Sequence, residues 1–517
     1  MRKFLLFTLI LLLIAFIVYR HIGRKEETFR HDASRLRARA SLENPTIDLA
    51  VIGPEEESEK VILGVEMAVV EANNRRNPDG SSGLKVLVSH DSLATKKIRS
   101  HYFTHKSSKE ALELSRMISR QYDFTAVIGH YVSDVTYPAA LNYHQAGLMH
   151  ICPFSTSTRI TSHNWPNIIR VLPSVKAIMS AILENISYLF DQKQEEIRIA
   201  VFNIDTIYGE DALTALNNYI AESKRLISIL NITEKMIEEN KLSPDISVYE
   251  WLSIDWEKEE PTMEEIDTSD KIFICKQLID FGFATPGIRS DELDIDRMQN
   301  IGNLIFRENL TVSSAIESLR KLIPQIKVVY STQYRQGTME FGSNMRMLSQ
   351  SRADIILILD YMNETCAKLL SEIREVGNTQ PIVGDDGLEF PDFLKQILGD
   401  KAGDIYIVSS YNDQKHGTFL INKLEELSDY FPSKEIENFK PNYLTYQGYR
   451  ATSLIAQAIA KSQSSDPAIL ASRIKNSDDQ SWLSQSGNPL KFDGHGDIIN
   501  PKFFLKKYSN GKFQVIK

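Results

Sequence analysis

Residues 124–175 read FTAVIGHYVSDVTYPAALNYHQAGLMHICPFSTSTRITSHNWPNIIRVLPSV, and they decide the fold. Two apolar runs, at 124–130 and 147–154, flank a helical segment. The first run reaches Gly129, and the second is followed by STSTRIT at 155–161, in which five of seven residues carry hydroxyls. Loops of this kind, side by side at the carboxyl ends of parallel strands, form a ligand crevice. The stretch therefore predicts a lobe that binds a small molecule.

The rest of the chain alternates short apolar runs with helical patterns. With 517 residues, of which 42% are hydrophobic and 25% charged, it fits two lobes with an addition. Predicted strands lie at 47–52, 84–89, 126–128, 149–151, 197–202, 327–330, 355–359, 381–383 and 405–408. Helical patterns fill most of the intervals, so the sequence predicts the α/β class, with parallel sheets covered by helices on both faces.

Several blocks carry a family resemblance. They are ILGVEMAVVEAN at 62–73, VIGHYVSDVTYPA at 127–139, ICPFSTSTRIT at 151–161, NIIRVLPS at 167–174, RIAVFNIDTIYGEDAL at 198–213, QPIVGDDGL at 380–388 and GNPLKFDGHGD at 487–497. In this order they resemble the type I periplasmic binding proteins, the branched-chain amino-acid receptor group of ABC transporters. The resemblance covers roughly residues 45–225 and 320–517.

That family implies two doubly wound parallel-sheet lobes joined by a three-crossover hinge. By resemblance the crossings lie near Arg170–Pro173, Asp360 and Asn488, and QPIVGDDGL is a strand of the first lobe. The expected domains are lobe I at 45–170 and 361–487, and lobe II at 171–360 and 488–517.

An insertion interrupts lobe II at about 226–316, because the strand IKVVYST follows only at 326. The insertion is acidic, with WEKEEPTMEEIDTSD at 256–270, yet it has too many aromatic and β-branched residues for a disordered tail. We expect it to fold as a subdomain on lobe II, outside the ligand cleft.

The resemblance also implies ligand-binding residues. Ser133 is at the position of a ligand-binding serine in the first loop, and Phe154 and Thr156 supply a backbone group and a hydroxyl from the second. Tyr208 in the Tyr-Gly turn covers the ligand from lobe II. The alternatives stay open that Ser133 and Thr156 only cap helices, and that Tyr208 only packs on its lobe.

The partner of a ligand ammonium is not where the family has it. The family's glutamate position is Thr338 here, and Glu340 lies two residues further on. Asp360, or Asp386 together with Asp385, can take the role, although the Asp385–Asp386 pair can instead hold a turn before Gly387. The ligand prediction is therefore an amino acid or a similar small polar solute.

The N terminus carries a membrane signal. Phe4–Tyr19 holds sixteen residues without a charge, which span about 24 Å as a helix. The one A-x-A site, at 38–40, is too far downstream for signal cleavage, so residues 1–24 are expected to be an uncleaved anchor. Residues 25–44 are expected to be a solvated linker or a polar helix.

Other functions lack residues to carry them. The net charge of −9 argues against nucleic acid, and no catalytic motif is found, so no enzyme, metal or cofactor is predicted. The cysteines Cys152, Cys275 and Cys366 are expected to be buried free thiols. The predicted function is an extracytoplasmic solute-binding protein of an ABC uptake system, anchored in the inner membrane beside a permease. The alternative is a sensing module that signals to a membrane protein.

Overall fold

A computed structural model describes most of the chain. The described residues are 32–89, 92–189, 196–239, 241–248, 311–323, 325–476, 482–484 and 489–517, with 30, 270, 273–274 and 276–278.

The first sheet has six strands and forms the core of lobe I. Its order is β2-β3-β1-β4-β5-β6, parallel except for the β2–β3 pair. The elements are α1 at 32–43, β1 Thr46–Pro54, α2 Glu55–Asn73, β2 Leu84–Ser89, β3 Ser92–His105, α3 Ser108–Ser119, β4 Phe124–Ile128, α4 Ser133–Gln145, β5 Met149–Cys152, α5 Arg159–Ser162 and β6 Ile168–Arg170. Strands buried on both faces, such as β4, read as continuous apolar runs.

The second sheet has seven strands, in the order β13-β12-β11-β10-β9-β7-β8, and forms the core of lobe II. Its elements are α6 Val175–Leu189, β7 Ile197–Ile204, α7 Ile207–Glu238, α8 Val312–Leu322, β8 Ile326–Tyr334, α9 Gly342–Ser351, β9 Ile355–Leu359, α10 Glu364–Glu375, β10 Ile382–Asp385, α11 Pro391–Leu398, β11 Ile405–Ser409, β12 Phe504–Ser509 and β13 Lys512–Val515. The last two strands are antiparallel and close one edge.

The chain then returns to lobe I before β12. The returning helices are α12 Thr418–Glu426, α13 Ser433–Glu437, α14 Tyr443–Ser462 and α15 Pro467–Lys475. Helix α14 lies against α2 so closely that a Cβ on Gly64 would come within 2.0 Å of the Thr445 carbonyl oxygen. Glycine is required there by the close backbone approach.

The two α/β lobes are confirmed, and the chain crosses between them three times, as predicted. The predicted position of the second crossing is wrong. Strands β10 and β11 lie in the second sheet, where β10 pairs with β9 and β11. The chain therefore crosses after Ser409 rather than near Asp360, and QPIVGDDGL is a strand of lobe II. Lobe I takes back only residues from about 411 to 498, so the expected 361–487 segment is corrected at both ends.

Residues 32–43 form a helix docked on lobe I rather than a solvated linker. The Arg37 side chain is 1% exposed and donates to the carbonyl oxygens of Ala146 at 2.8 Å, Gln121 at 2.7 Å and Ser119 at 2.7 Å. The polar-helix expectation is confirmed, but the helix is part of the lobe. One arginine satisfies several loop carbonyls and so holds it in place.

The described part of the insertion has a core of its own. Helix α7 continues past the expected boundary at 226 as far as Glu238, and its second half packs against α8. The shared apolar cluster begins at Leu226 and ends at Ile323. These described residues therefore share a separate apolar core, while most of 249–310 lies outside the described part of the chain.

Within the described residues, Cys152 and Cys366 are buried free thiols, as expected, and Cys275 falls outside that part. No described helix has the length and apolar character to cross a membrane. The predicted anchor at Phe4–Tyr19 lies outside the described residues.

Candidate functional site

Two loops of lobe I carry buried hydroxyls next to residues that contact lobe II. Ser133 begins α4, directly after the β4 loop, and is 3% exposed. Thr156 follows β5 and is 6% exposed, and its carbonyl oxygen accepts from Arg170 Nη1 at 2.7 Å. Neither hydroxyl has a hydrogen-bond partner among the residues that the structure describes. Both are therefore free to bind a ligand.

Neither hydroxyl caps a helix. The N-cap of α4 is Val132, which makes no side-chain cap bond, and the N-cap of α5 is Thr158, which makes none either. At the start of α6 the bond is made by Ser174, whose Oγ accepts from Ala177 N at 3.3 Å. The capping alternative for Ser133 and Thr156 is therefore wrong.

Aromatic rings line the lobe I side of the cleft. The ring centroid of Phe154 lies 4.2 Å from that of Tyr131 and 6.4 Å from that of Tyr443. Tyr443 is the first residue of α14, in the segment that returns to lobe I after the second crossing. The rings bring three separate segments of lobe I to one wall of the site, where they can pack on the apolar part of a ligand.

Acidic groups lie at the carboxyl ends of two neighbouring lobe II strands, β9 and β10. Tyr208 Oη donates to Asp385 Oδ2 at 2.7 Å, and Tyr334 Oη donates to Asp360 Oδ2 at 2.7 Å. Asp385 also holds the turn, because its Oδ1 accepts from Gly387 N at 2.9 Å. The turn-holding alternative is thus confirmed for Asp385. Tyr208 is bonded to a carboxylate of its own lobe, within reach of the cleft.

The Asp386 carboxyl connects the acidic wall with the aromatic wall. It forms a hydrogen bond with the Tyr443 hydroxyl, so lobe II meets the beginning of α14 at this point. The structure therefore brings Tyr208, Asp360 and Asp386 to one side of the cleft, and Ser133, Phe154 and Thr156 to the other.

Burial sets the charge state of these acids. Desolvation raises the pKa of Asp360 to about 7, against a weaker lowering by the Tyr334 hydroxyl. Desolvation also raises the pKa of Asp385, and that of Asp386 rises through desolvation and then through Asp385 and Glu389. Among the described residues no salt bridge joins Asp360, Asp385 or Asp386 to a basic side chain. A ligand ammonium would stabilise their ionised forms.

Polar contacts between the lobes close the cleft beside these walls. Arg159, on the lobe I loop after β5, places Nε 3.0 Å from Asp211 Oδ1 and Nη2 2.7 Å from Glu210 Oε2, both on α7. The Ser157 hydroxyl also donates to Asp211. On the neighbouring loop, Asp134 Oδ1 accepts from Ile207 N at 3.1 Å. The structure thus presents the lobes in a closed arrangement.

The site contains several residues that were not predicted, three of them aromatic or basic. Tyr131, Tyr443 and Arg159 take part in the walls or in the contacts across the cleft. Tyr131 and Arg159 lie within the loops that the sequence singled out, so each could have been included from its position alone. Tyr443 lies on α14, and its place depends on the second crossing, which the sequence did not locate.

The remaining candidates lie away from the acidic wall. Glu340 is exposed and Thr338 is partly buried in the loop after β8. Within the described part of the chain, no group of three or more His, Cys, Asp or Glu side chains is arranged to hold a metal ion.

Comparisons with known proteins agree with this architecture. Residues 309–497 match the sequence model of the periplasmic binding protein family. An ABC transporter substrate-binding protein from Desulfitobacterium hafniense, in complex with Leu, is 18% identical, with a TM-score of 0.57 over 91% of this chain and 100% of that one. The leucine binding protein LivK from Thermotoga maritima is 15% identical, with a TM-score of 0.58 over 91% and 98%.

A third structure of the same fold holds an aromatic acid. It is the ABC transporter solute binding protein from R. palustris in complex with benzoate, which is 12% identical, with a TM-score of 0.55 over 91% of this chain and 95% of that one. No curated protein matches this chain.

Proposed function

We propose that this chain, which has the fold of the type I periplasmic binding proteins, closes its two lobes on a small polar solute that carries an ammonium group and a carboxylate. An amino acid or a similar small molecule fits that description. The protein acts as a binding protein and not as an enzyme, in keeping with the substrate-binding proteins that share its fold.

The carrying observation is the opposite chemistry of the two walls. Unpartnered hydroxyls of Ser133 and Thr156 on lobe I suit a carboxylate, together with the N–H groups at the start of α4. The carboxyls of Asp360 and Asp386 on lobe II, without a basic partner, suit an ammonium. The Phe154 ring and its neighbours fit an apolar middle.

The compared structures support the carboxylate assignment. Leucine and benzoate, which two of them bind, share a carboxylate but differ in the amino group. The acidic wall of the present cleft favours the ligand with the amino group, because burial of an unpaired carboxylate beside those acids would be unfavourable.

We further propose that the protein works outside the cytoplasm, held in the membrane by Phe4–Tyr19, and delivers its solute to an ABC permease. A sensing module that signals to a membrane protein remains the alternative role, because both uses need the same closing lobes. Loss of solute uptake when a neighbouring permease is deleted would favour delivery. Unchanged uptake, together with loss of the transcriptional response to the solute, would favour sensing.

A thermal-shift screen tests the binding proposal. The full chain is heated with amino acids, with their decarboxylated amines and with the matching deaminated acids. Ligands that retain both charged groups should raise the unfolding midpoint in a saturable way. A response to none of the three classes, or the same response to all of them, would overturn the proposal.

A further inference from the structure

Behind the aromatic wall, α14 carries a buried arginine that has no acidic partner among the residues that the structure describes. Arg450 is 1% exposed, and its Nε and Nη2 make no hydrogen bond in the described part of the structure. Its Nη1 lies 3.4 Å from Gln447 Oε1, a long contact to a neutral group. Burial lowers the pKa of Arg450, and the neighbouring groups that raise it are Tyr446 and Tyr443. No carboxylate is among these groups.

Other polar atoms around this arginine are also left over. The unpartnered atoms of buried residues nearby are Gln447 Nε2, His416 Nε2 and Tyr411 Oη. Tyr446 ties the group together: its ring centroid lies 4.4 Å from that of His416, 5.5 Å from that of Tyr411 and 5.1 Å from Arg450 Cζ. Apart from His416 Nε2, whose role depends on the tautomer, the free atoms can all donate.

The nearest acids are already committed to another cation. Lys506 is fully buried and binds Glu389 and, at 2.9 Å, Asp413 Oδ2. Those two carboxylates balance Lys506, and Asp386 bonds to Tyr443. Arg450 is left with the π face of Tyr446, which offsets the burial of a charge less than a hydrogen-bonded ion pair would.

We propose that Arg450, Gln447 and His416 form a buried binding site for a small monovalent anion, next to the second crossing. A halide or a single carboxylate group matches the donor set and the one uncompensated charge. Its source is either a free inorganic or organic anion or the carboxylate of a solute that reaches past Tyr443. Because the site joins α14 of lobe I to the 409–417 crossing, bound anion stiffens the hinge.

The test begins with the full chain in the absence of cleft ligand. Sodium chloride or sodium acetate replaces the sodium salt of a bulky organic sulfonate in steps, so that the ionic strength stays constant. The midpoint of unfolding is measured at each step. We expect a saturable rise of roughly 2 °C or more at a hundredfold excess over Kd. Arg450→Met should abolish the rise, whereas Lys461→Met, which removes an exposed cation at the end of the same helix, should retain it.

A second arm separates the two sources. If the anion is a group of the cleft ligand, neither salt has an effect on the ligand-free chain, and Arg450→Met lowers affinity for a carboxylate solute at least tenfold but spares its decarboxylated amine. Should Arg450→Met fail to fold, the ³⁵Cl resonance width is measured with the wild-type chain, where acetate-reversible broadening supports the site. The proposal is overturned if all three measurements are negative. In that case added salts leave the unfolding midpoint unchanged, Arg450→Met leaves the affinity for the solute unchanged, and added anion leaves the ³⁵Cl resonance width unchanged. Since the first arm needs no cleft ligand, its result stands apart from the proposed transport or sensing function.

Discussion

Arg159 and Asp211 form an ion pair between the lobes, with 3.0 Å between Nε and Oδ1. Arg159 begins α5 on lobe I, and Asp211 lies in the first turns of α7 on lobe II. Because these elements belong to different sheets, the pair links the two lobes in this arrangement. The closed state therefore has its own stabilising contact, beside any that a ligand provides.

Asp211→Asn should loosen the closed state. The substitution keeps the shape of the side chain but removes the negative charge to which Arg159 and the Ser157 hydroxyl donate hydrogen bonds. Loss of one charge-assisted contact should speed ligand release by about tenfold. Stopped-flow dissociation measures this rate, and Glu210→Gln serves as control because the Glu210 side chain is 49% exposed and its pair with Arg159 is worth little. Equal release from wild type and Asp211→Asn would show that the pair does not hold the closed state.

The raised pKa of Asp360 predicts a pH dependence of stability. The folded pKa is about 7, above an unfolded value of about 3.9, so the folded chain keeps a proton that the unfolded chain has lost. The free energy of unfolding should therefore fall as pH rises from about 4 to 7, by on the order of 2–4 kcal/mol relative to Asp360→Asn. Urea unfolding at several pH values measures the difference, with Asp392→Asn on exposed α11 as control. Ligand affinity should rise over the same window, since an ammonium binds the ionised form. A difference that is flat between pH 4 and 7 would contradict the assignment.

Arg37→Met should undock the helix at 32–43 and destabilise lobe I. The variant leaves the carbonyl oxygens of Ala146, Gln121 and Ser119 without their donor, which should cost about 2–4 kcal/mol. Urea unfolding of the full chain measures the change. Arg39→Met, on the same helix but 76% exposed, should leave the unfolding midpoint unchanged. If the two variants behave alike, the buried contacts of Arg37 do not hold the helix.

Removal of the insertion should leave ligand binding intact. The structure shows that the deletion must end at a later residue than the sequence indicated. Deleting 226–316 would cut through α8 and leave Leu319 and Ile323 without the rest of the apolar cluster from Leu226 to Ile323. Deleting 225–324 with a short Gly-Ser bridge removes that cluster whole and leaves α7 residues such as Leu216 packed on lobe II. The shortened chain should unfold cooperatively and bind with unchanged affinity in calorimetry. A folded chain that no longer binds would place the insertion in the cleft.

The layers of this fold could be predicted from sequence because each strand is a short apolar run between helical patterns. The second crossing could not. β10 and β11 are apolar runs buried on both faces, and such a run fits either sheet equally well. Only the pairing of β10 with β9, a long-range contact, assigns it to lobe II.

The residues of the site divide in the same way, into those that a local pattern indicates and those that depend on long-range contacts. Ser133 and Thr156 were predicted from the family resemblance, and hydroxyls directly after apolar strands are a local signal that agrees with it. Arg37 was missed because an arginine in a polar stretch looks solvated, and only the distant carbonyls of 119–146 explain its burial. Tyr443 and Arg450 depend on where α14 returns to lobe I, which no local pattern specifies.

Calorimetric titration of the solute that the thermal-shift screen identifies, into wild type, Ser133→Ala and Thr156→Val, tests the central claim most directly. Each variant should weaken binding about ten- to a hundredfold, the loss expected for one hydrogen bond to a charged ligand, with its unfolding midpoint preserved. Ser162→Ala, an exposed hydroxyl on α5 in the same loop region, should bind like wild type. Unchanged affinity in both Ser133→Ala and Thr156→Val would contradict the account and remove these loops from the site.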